Sequence, residues 1–161
     1  MAPVRKRAEY IIDTTALSTA KLHGEVLRLF GTPGQGPEMS VSVVSFGFKY
    51  GVPIEADLVF DVRCLPNPFY IAELRRQTGL DAGVRDFLWG YQQTADLVKH
   101  LEDLMSFLLP LYVEEGKSAL VIAIGCTGGQ HRSVAITRSL ADFIRQKGYN
   151  ASENHRDMTR A

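Results

Sequence analysis

From Leu120 to Ile124 the sequence is unbroken and apolar, and it runs straight into Gly125, Cys126, Thr127, Gly128 and Gly129. His131, Arg132 and Ser133 follow at the head of an amphipathic segment that ends at Gly148. No other stretch constrains the fold as much. A short apolar run bounded by glycines reads as a strand buried on both faces. Val134, Thr137, Leu140, Ala141 and Ile144 share one helical face, which predicts a helix over Ser133–Lys147 that ends at Gly148. A buried strand that feeds a helix through a tight turn is a βα unit, and such units imply crossover connections and parallel strands.

The rest of the chain fits around this unit. Strands are predicted over Ser40–Phe48, Leu58–Cys64, Ser118–Ile124 and Tyr149–His155, with a further short strand at Tyr10–Ile12. Ser18 or Thr19 can cap a helix with Leu22, Val26, Leu29 and Phe30 on one face. Helical pieces are predicted over Tyr70–Gln77 and Asp81–Trp89, and the longest helix over Thr94–Val113. In that helix Leu97, Leu101, Leu104, Leu108 and Leu111 form a stripe read as core or subunit interface, and Pro110 should kink or loosen its end. Tyr50, Phe69 and Trp89 are core candidates. The fold class is α/β, a mostly parallel sheet of about four to five strands with flanking helices. Residues 31–37 carry three glycines and two prolines and read as a linker, so the main domain starts at Met39. The basic cluster Arg5–Arg7 reads as a solvated terminus.

Charge narrows the function classes. The 161 residues hold 18 Lys plus Arg against 18 Asp plus Glu, so bulk charge makes no case for nucleic acid or an acidic membrane surface. Two cysteines are too few for a disulfide scaffold, and no apolar run would span a bilayer. A cytoplasmic protein with no membrane partner, metal or cofactor is the expectation.

In parallel sheets ligands bind beyond the carboxyl ends of the strands. Lys49 follows the first strand, and Asp61, Arg63 and Asn67 follow the second. Cys126–Ser133 follows the third, and His155 and Arg156 follow the fourth. These clusters should share one rim. Glycines alone would suit a plain turn. Glycines followed by His131, Arg132 and Ser133 at a helix start suit an anion, held by backbone N–H groups, by a bidentate guanidinium and by the hydroxyls of Thr127 and Ser133. Ser133 is also a candidate helix cap, and His131 can donate or titrate. The spacing Gly-x4-Gly-Lys-Ser/Thr of nucleotide P-loops is absent, because Gln130 and His131 stand where it needs glycine and lysine. Cys126, five residues, Arg132 and Ser133 do match the spacing of cysteine-dependent phosphatases, with Cys126 as nucleophile and Arg132 on the phosphate. Gly125 stands where those enzymes carry histidine. The alternative reading makes Cys126, like Cys64, a structural cysteine at a strand end. Asp61 and Arg63 read as an ion pair or as ligand contacts.

The segments Ser45–Gly51, Phe60–Arg63, Leu65–Pro68, Thr78–Asp81, Ile124–Gly129, His131–Val134 and His155–Arg156 together resemble the RapZ/YvcJ family of bacterial RNase adapter and nucleotide-binding proteins. The resemblance covers residues 39–157. Residues 8–30 are similar to the end of that family's P-loop domain, so 1–38 would be the tail of that domain plus a linker, and 39–161 the C-terminal domain. The family's P-loop itself is not in this sequence. The resemblance implies a domain similar to a phosphofructokinase subdomain, self-associating into dimers or tetramers and not itself an enzyme. It would sense a phosphorylated amino sugar, either glucosamine-6-phosphate or a nucleotide sugar such as UDP-N-acetylglucosamine. It would report to a small RNA or a regulatory protein in control of cell-envelope amino-sugar metabolism. Carried over, Cys126, Thr127, Gly128, Gly129, Gln130, His131, Arg132 and Ser133 form the phosphosugar loop, faced by Asp61 and Arg63, with Lys49, Asn67, His155 and Arg156 on the same rim. Phe69 departs from the histidine of the enterobacterial branch.

Overall fold

The structure is a computed structural model that describes residues 8–17, 19–30 and 39–160. The predicted linker, the Arg5–Arg7 cluster and Ser18 lie outside the described residues. Four strands form one parallel sheet in the order β2-β3-β1-β4: β1 Ser40–Gly47, β2 Leu58–Asp61, β3 Ala119–Cys126 and β4 Asn150–His155. The two central strands bury almost every residue beyond their first few, which is why both read as continuous apolar runs. The edge strands β2 and β4 alternate between exposed and half-buried positions.

The helices are α1 Thr19–Phe30, α2 Ala82–Trp89, α3 Gln92–Glu115 and α4 Arg132–Gln146. Helix α4 is the crossover from β3 to β4 and packs on β1, β3 and β4. Its predicted inward face is the observed one, since Val134, Thr137, Leu140, Ala141 and Ile144 are all buried. Helix α3 packs beside α4 and closes the core over Val41, Val43, Leu120, Ile122 and Ile124.

Several expectations are corrected. Tyr10–Ile12 is not a strand. Strand β2 stops at Asp61: the Val62 N–H makes the last bond to β3, at the Gly125 carbonyl, and the chain then turns at Arg63 and Cys64. Cys64 is therefore exposed and does not fill a buried strand end. The stretch Tyr70–Gln77 forms turns behind a single 3-10 turn at Pro68–Tyr70, not a helix. Helix α3, with Pro110 inside it, runs past the predicted Val113 to Glu115 and stops at Gly116 (φ 86°) with the Gly116 and Lys117 N–H groups bonded back to Val113 and Tyr112. The buried face of α3 is Val98, Leu101, Met105 and Leu109, so the leucine stripe is offset from the core. Leu104 and Leu111 point outward, while Leu97 and Leu108 flank the core. Phe69 and Trp89 are largely exposed instead of core residues.

The offset is testable by urea unfolding. Met105→Ala empties a fully buried position and should cost about 2–5 kcal/mol. Leu104→Ala, on the outward side, should cost under about 1 kcal/mol. Equal losses would contradict the assignment of the faces.

Candidate anion-binding site

The four strand ends meet at the β3–α4 turn. Gly129 has φ 79°, and a side chain there would sit 2.7 Å from the Gly47 nitrogen, so the turn lies directly on the end of β1. At Gly125 a Cβ would fall 2.5 Å from the rings of Phe46 and Phe48, which pack edge to face. That wall leaves no room for the histidine that phosphatases carry there.

Arg132 is only 6% exposed. Its Nη1 donates to the carbonyls of Arg63 (3.0 Å) and Leu65 (3.1 Å), and its Nη2 to Thr127 Oγ1 at 3.4 Å. The guanidinium thus ties the β2 exit to the turn. Gln130 Nε2 donates to the carbonyls of Arg75 and Gln77, and the Gly79 N–H donates to the Gln130 carbonyl. His131 Nε2 lies 3.2 Å from the Leu74 carbonyl. Burial, the largest influence on His131, holds its pKa below the usual histidine value, so the ring is neutral at pH 7 and its Nε2–H donates to Leu74. His131 then carries no positive charge at the site, and Arg132 and Lys49 supply it. Cys126 is buried, with its Sγ 3.1 Å from Ser133 Oγ and accepting the Gly129 N–H at 3.3 Å. Ser133 pairs with this thiol instead of capping α4, whose N-cap is His131.

These ties leave the N–H groups of Thr127, Gly128, Gln130 and His131 without a partner among the described residues. The first-turn amides of α4 have no intrahelical partner either. Thr127, Gly128, Gln130, His131 and Arg132 border a cavity of about 350 Å³, near the lower end of the range for ligand pockets. Of the predicted residues, Lys49, Asn67, Cys126, Thr127, Gly128, Gln130, His131 and Arg132 line it. Phe69 and Tyr70 complete the lining.

Gly129, Ser133, Asp61, Arg63, His155 and Arg156 are not in the lining. Asp61 and Arg63 form an exposed ion pair (Nη2 to Oδ2 2.7 Å), and Arg63 stacks over Phe48. His155 Nδ1 bonds Ser45 Oγ at 2.9 Å. Arg156 pairs with Asp157 at 2.7 Å and donates to the Gly51 carbonyl. These last two residues brace the rim from β4.

Two residues of this region lie outside the predicted rim clusters: Tyr70, on a segment predicted as helical, and Gly79. Gly79 packs so tightly on the His131 carbonyl that no side chain fits. Asp157 is fully buried and accepts the Gly47 N–H at 2.8 Å, which anchors the end of β1.

A family model described as the RapZ C-terminal domain matches residues 39–159. A nucleotide-binding protein of Caldanaerobacter subterraneus subsp. tengcongensis is 49% identical over 158 residues, covering 98% of this chain and 56% of its own length. Relatives of the same description in Alkaliphilus oremlandii and Carboxydothermus hydrogenoformans are 49% and 48% identical, each covering 96% of this chain and 53% and 54% of their own length. The chain spans about half the length of the curated relatives it matches.

Asp157 gives this geometry a pH signature. Burial works against its charge, but Arg156, the Gly47 N–H and Arg160 outweigh burial and hold its pKa below the usual carboxylate value. A depressed folded-state pKa contributes stability that is complete above the unfolded value of about 3.9 and lost as pH falls through the folded one. Asp157→Asn should therefore cost about 1.5–3 kcal/mol at pH 7 in urea unfolding, with the gap to the unsubstituted protein narrowing below about pH 4. A gap unchanged with pH would refute the assignment.

Proposed function

The chain belongs to the RapZ C-terminal domain family, and on that premise we propose that it is a metabolite-sensing regulatory domain whose β3–α4 turn binds a phosphorylated amino sugar. The observation that carries this reading is one cavity shared by unpartnered loop amides, Arg132, Lys49 and Asn67. Amides at a helix start favour an anion, and the two cations balance a phosphate. Preorganisation supports it too, because Arg132, Gln130 and His131 are already fixed by backbone acceptors and little order is lost on binding. The phosphate comes from this geometry. The amino sugar, of the glucosamine-6-phosphate or UDP-N-acetylglucosamine type, comes from the family resemblance. Occupancy would be reported to a small RNA or a regulatory protein, and zero net charge favours the protein. Among the described residues no helix is long and apolar enough to cross a membrane.

Calorimetry with glucosamine-6-phosphate and with unphosphorylated glucosamine tests this reading. Only the phosphate should give heat. Lys49→Ala, at an exposed position, should weaken binding by about ten- to hundredfold, the worth of one hydrogen bond to a charged group. Equal heats for the two sugars would overturn the reading.

A second reading, cysteine-dependent phosphoryl transfer, is favoured by the bonds from Gly129 N–H and Ser133 Oγ to the Cys126 sulfur beside Arg132. These contacts would stabilise a thiolate attacking phosphorus. It predicts turnover of an aryl phosphate that disappears in Cys126→Ser, and no turnover by the unsubstituted protein would remove it.

A further inference from the structure

One wall of the cavity has no part in holding a phosphate. We propose that Phe69 and Tyr70 are a stacking wall and that the site takes a nucleoside diphosphate, its phosphates on the 127–132 turn and its base against these rings. The proposal rests on the anion reading of that turn and names the rest of the ligand.

Both rings line the same cavity as Lys49 and Arg132, yet Phe69 is 49% and Tyr70 79% exposed. Two adjacent aromatic rings exposed on the wall of a cavity that also holds cations form an apolar surface beside an anion site. Their presentation is rigid. The Asn67 side chain accepts the Phe69 N–H, the Ile71 N–H donates to the Pro68 carbonyl, and Arg75 Nε donates to the Phe69 carbonyl at 3.0 Å. The Arg75 guanidinium also lies 5.0 Å from the Phe69 ring centre. The two rings meet edge to face at 81°, and with Arg75 over Phe69 the more open ring is that of Tyr70. The Tyr70 hydroxyl has no partner among the described residues. Aromatic faces held beside bound phosphate suit the flat face of a base, and that contact tolerates any base because every base has a π-face.

The position of Tyr70 favours a base over a sugar ring. It stands at the mouth and is mostly in solvent, so whatever covers it must reach out of the cavity. A hexose phosphate seated on the turn stays inside, whereas a diphosphate carries its nucleoside outward.

Calorimetry with UDP, pyrophosphate and glucosamine-6-phosphate tests the wall. UDP should bind at least about tenfold tighter than pyrophosphate, within the range of base stacking on an aromatic side chain. Tyr70→Ala and Phe69→Ala should remove most of that margin and leave pyrophosphate binding unchanged, while Tyr70→Phe should keep it. Both positions are exposed, and an unchanged melting temperature would verify folding. The inference is overturned if UDP binds no tighter than pyrophosphate, or if the alanine variants weaken glucosamine-6-phosphate as much as UDP, since the rings would then stack a sugar. Silence from UDP and pyrophosphate with glucosamine-6-phosphate still binding would overturn the stacking wall and leave the anion reading, whereas silence from all three would remove both.

Discussion

The clasp between Arg132 and the carbonyls of Arg63 and Leu65 is the contact on which the rest of the rim depends. A guanidinium this deeply buried is tolerable only where its protons meet acceptors. The acceptors exist because β2 ends early and turns its carbonyls toward the β3–α4 turn. Two strand ends that are not joined in sequence are locked by one side chain, and the amides between them are left facing a cavity. Gln130, His131 and Gly79 repeat the device on the next segment, so the whole passage from Arg63 to Gly79 is held by the turn it faces.

Charge is distributed with the same economy. The imidazoles of His131 and His155 are held neutral chiefly by burial. Asp157 keeps its charge because Arg156, Arg160 and a backbone N–H surround it. Arg63 likewise holds Asp61 below the usual carboxylate value. The carboxylates at the rim are therefore spent on arginines, and Lys49 has no carboxylate partner among the described residues. The cavity faces an incoming anion with little to repel it.

Much of this was legible in the sequence. Strand positions, the parallel sheet and the α4 face followed from apolar runs and from a single unambiguous period. The meeting of Lys49, Asn67 and the 126–132 turn followed from the rule that parallel strands end at one rim. Helix α3 was harder, because it is apolar on more than one side. Its leucines trace one stripe, while Val98, Met105 and Leu109 trace another. Which of them faces the core depends on where the sheet lies, and no local pattern carries that. Tyr70 was hidden for a similar reason, since a 3-10 turn has no periodicity to reveal which way its side chains point.

The rings packed against Gly125 bear on how this loop can change over time. A histidine there collides with Phe46, which is fully buried, and with Phe48, on which Arg63 rests. A histidine at position 125 would therefore become tolerable only once both rings had given way. Single-step mutation keeps glycine there, whatever selection acts on the cysteine.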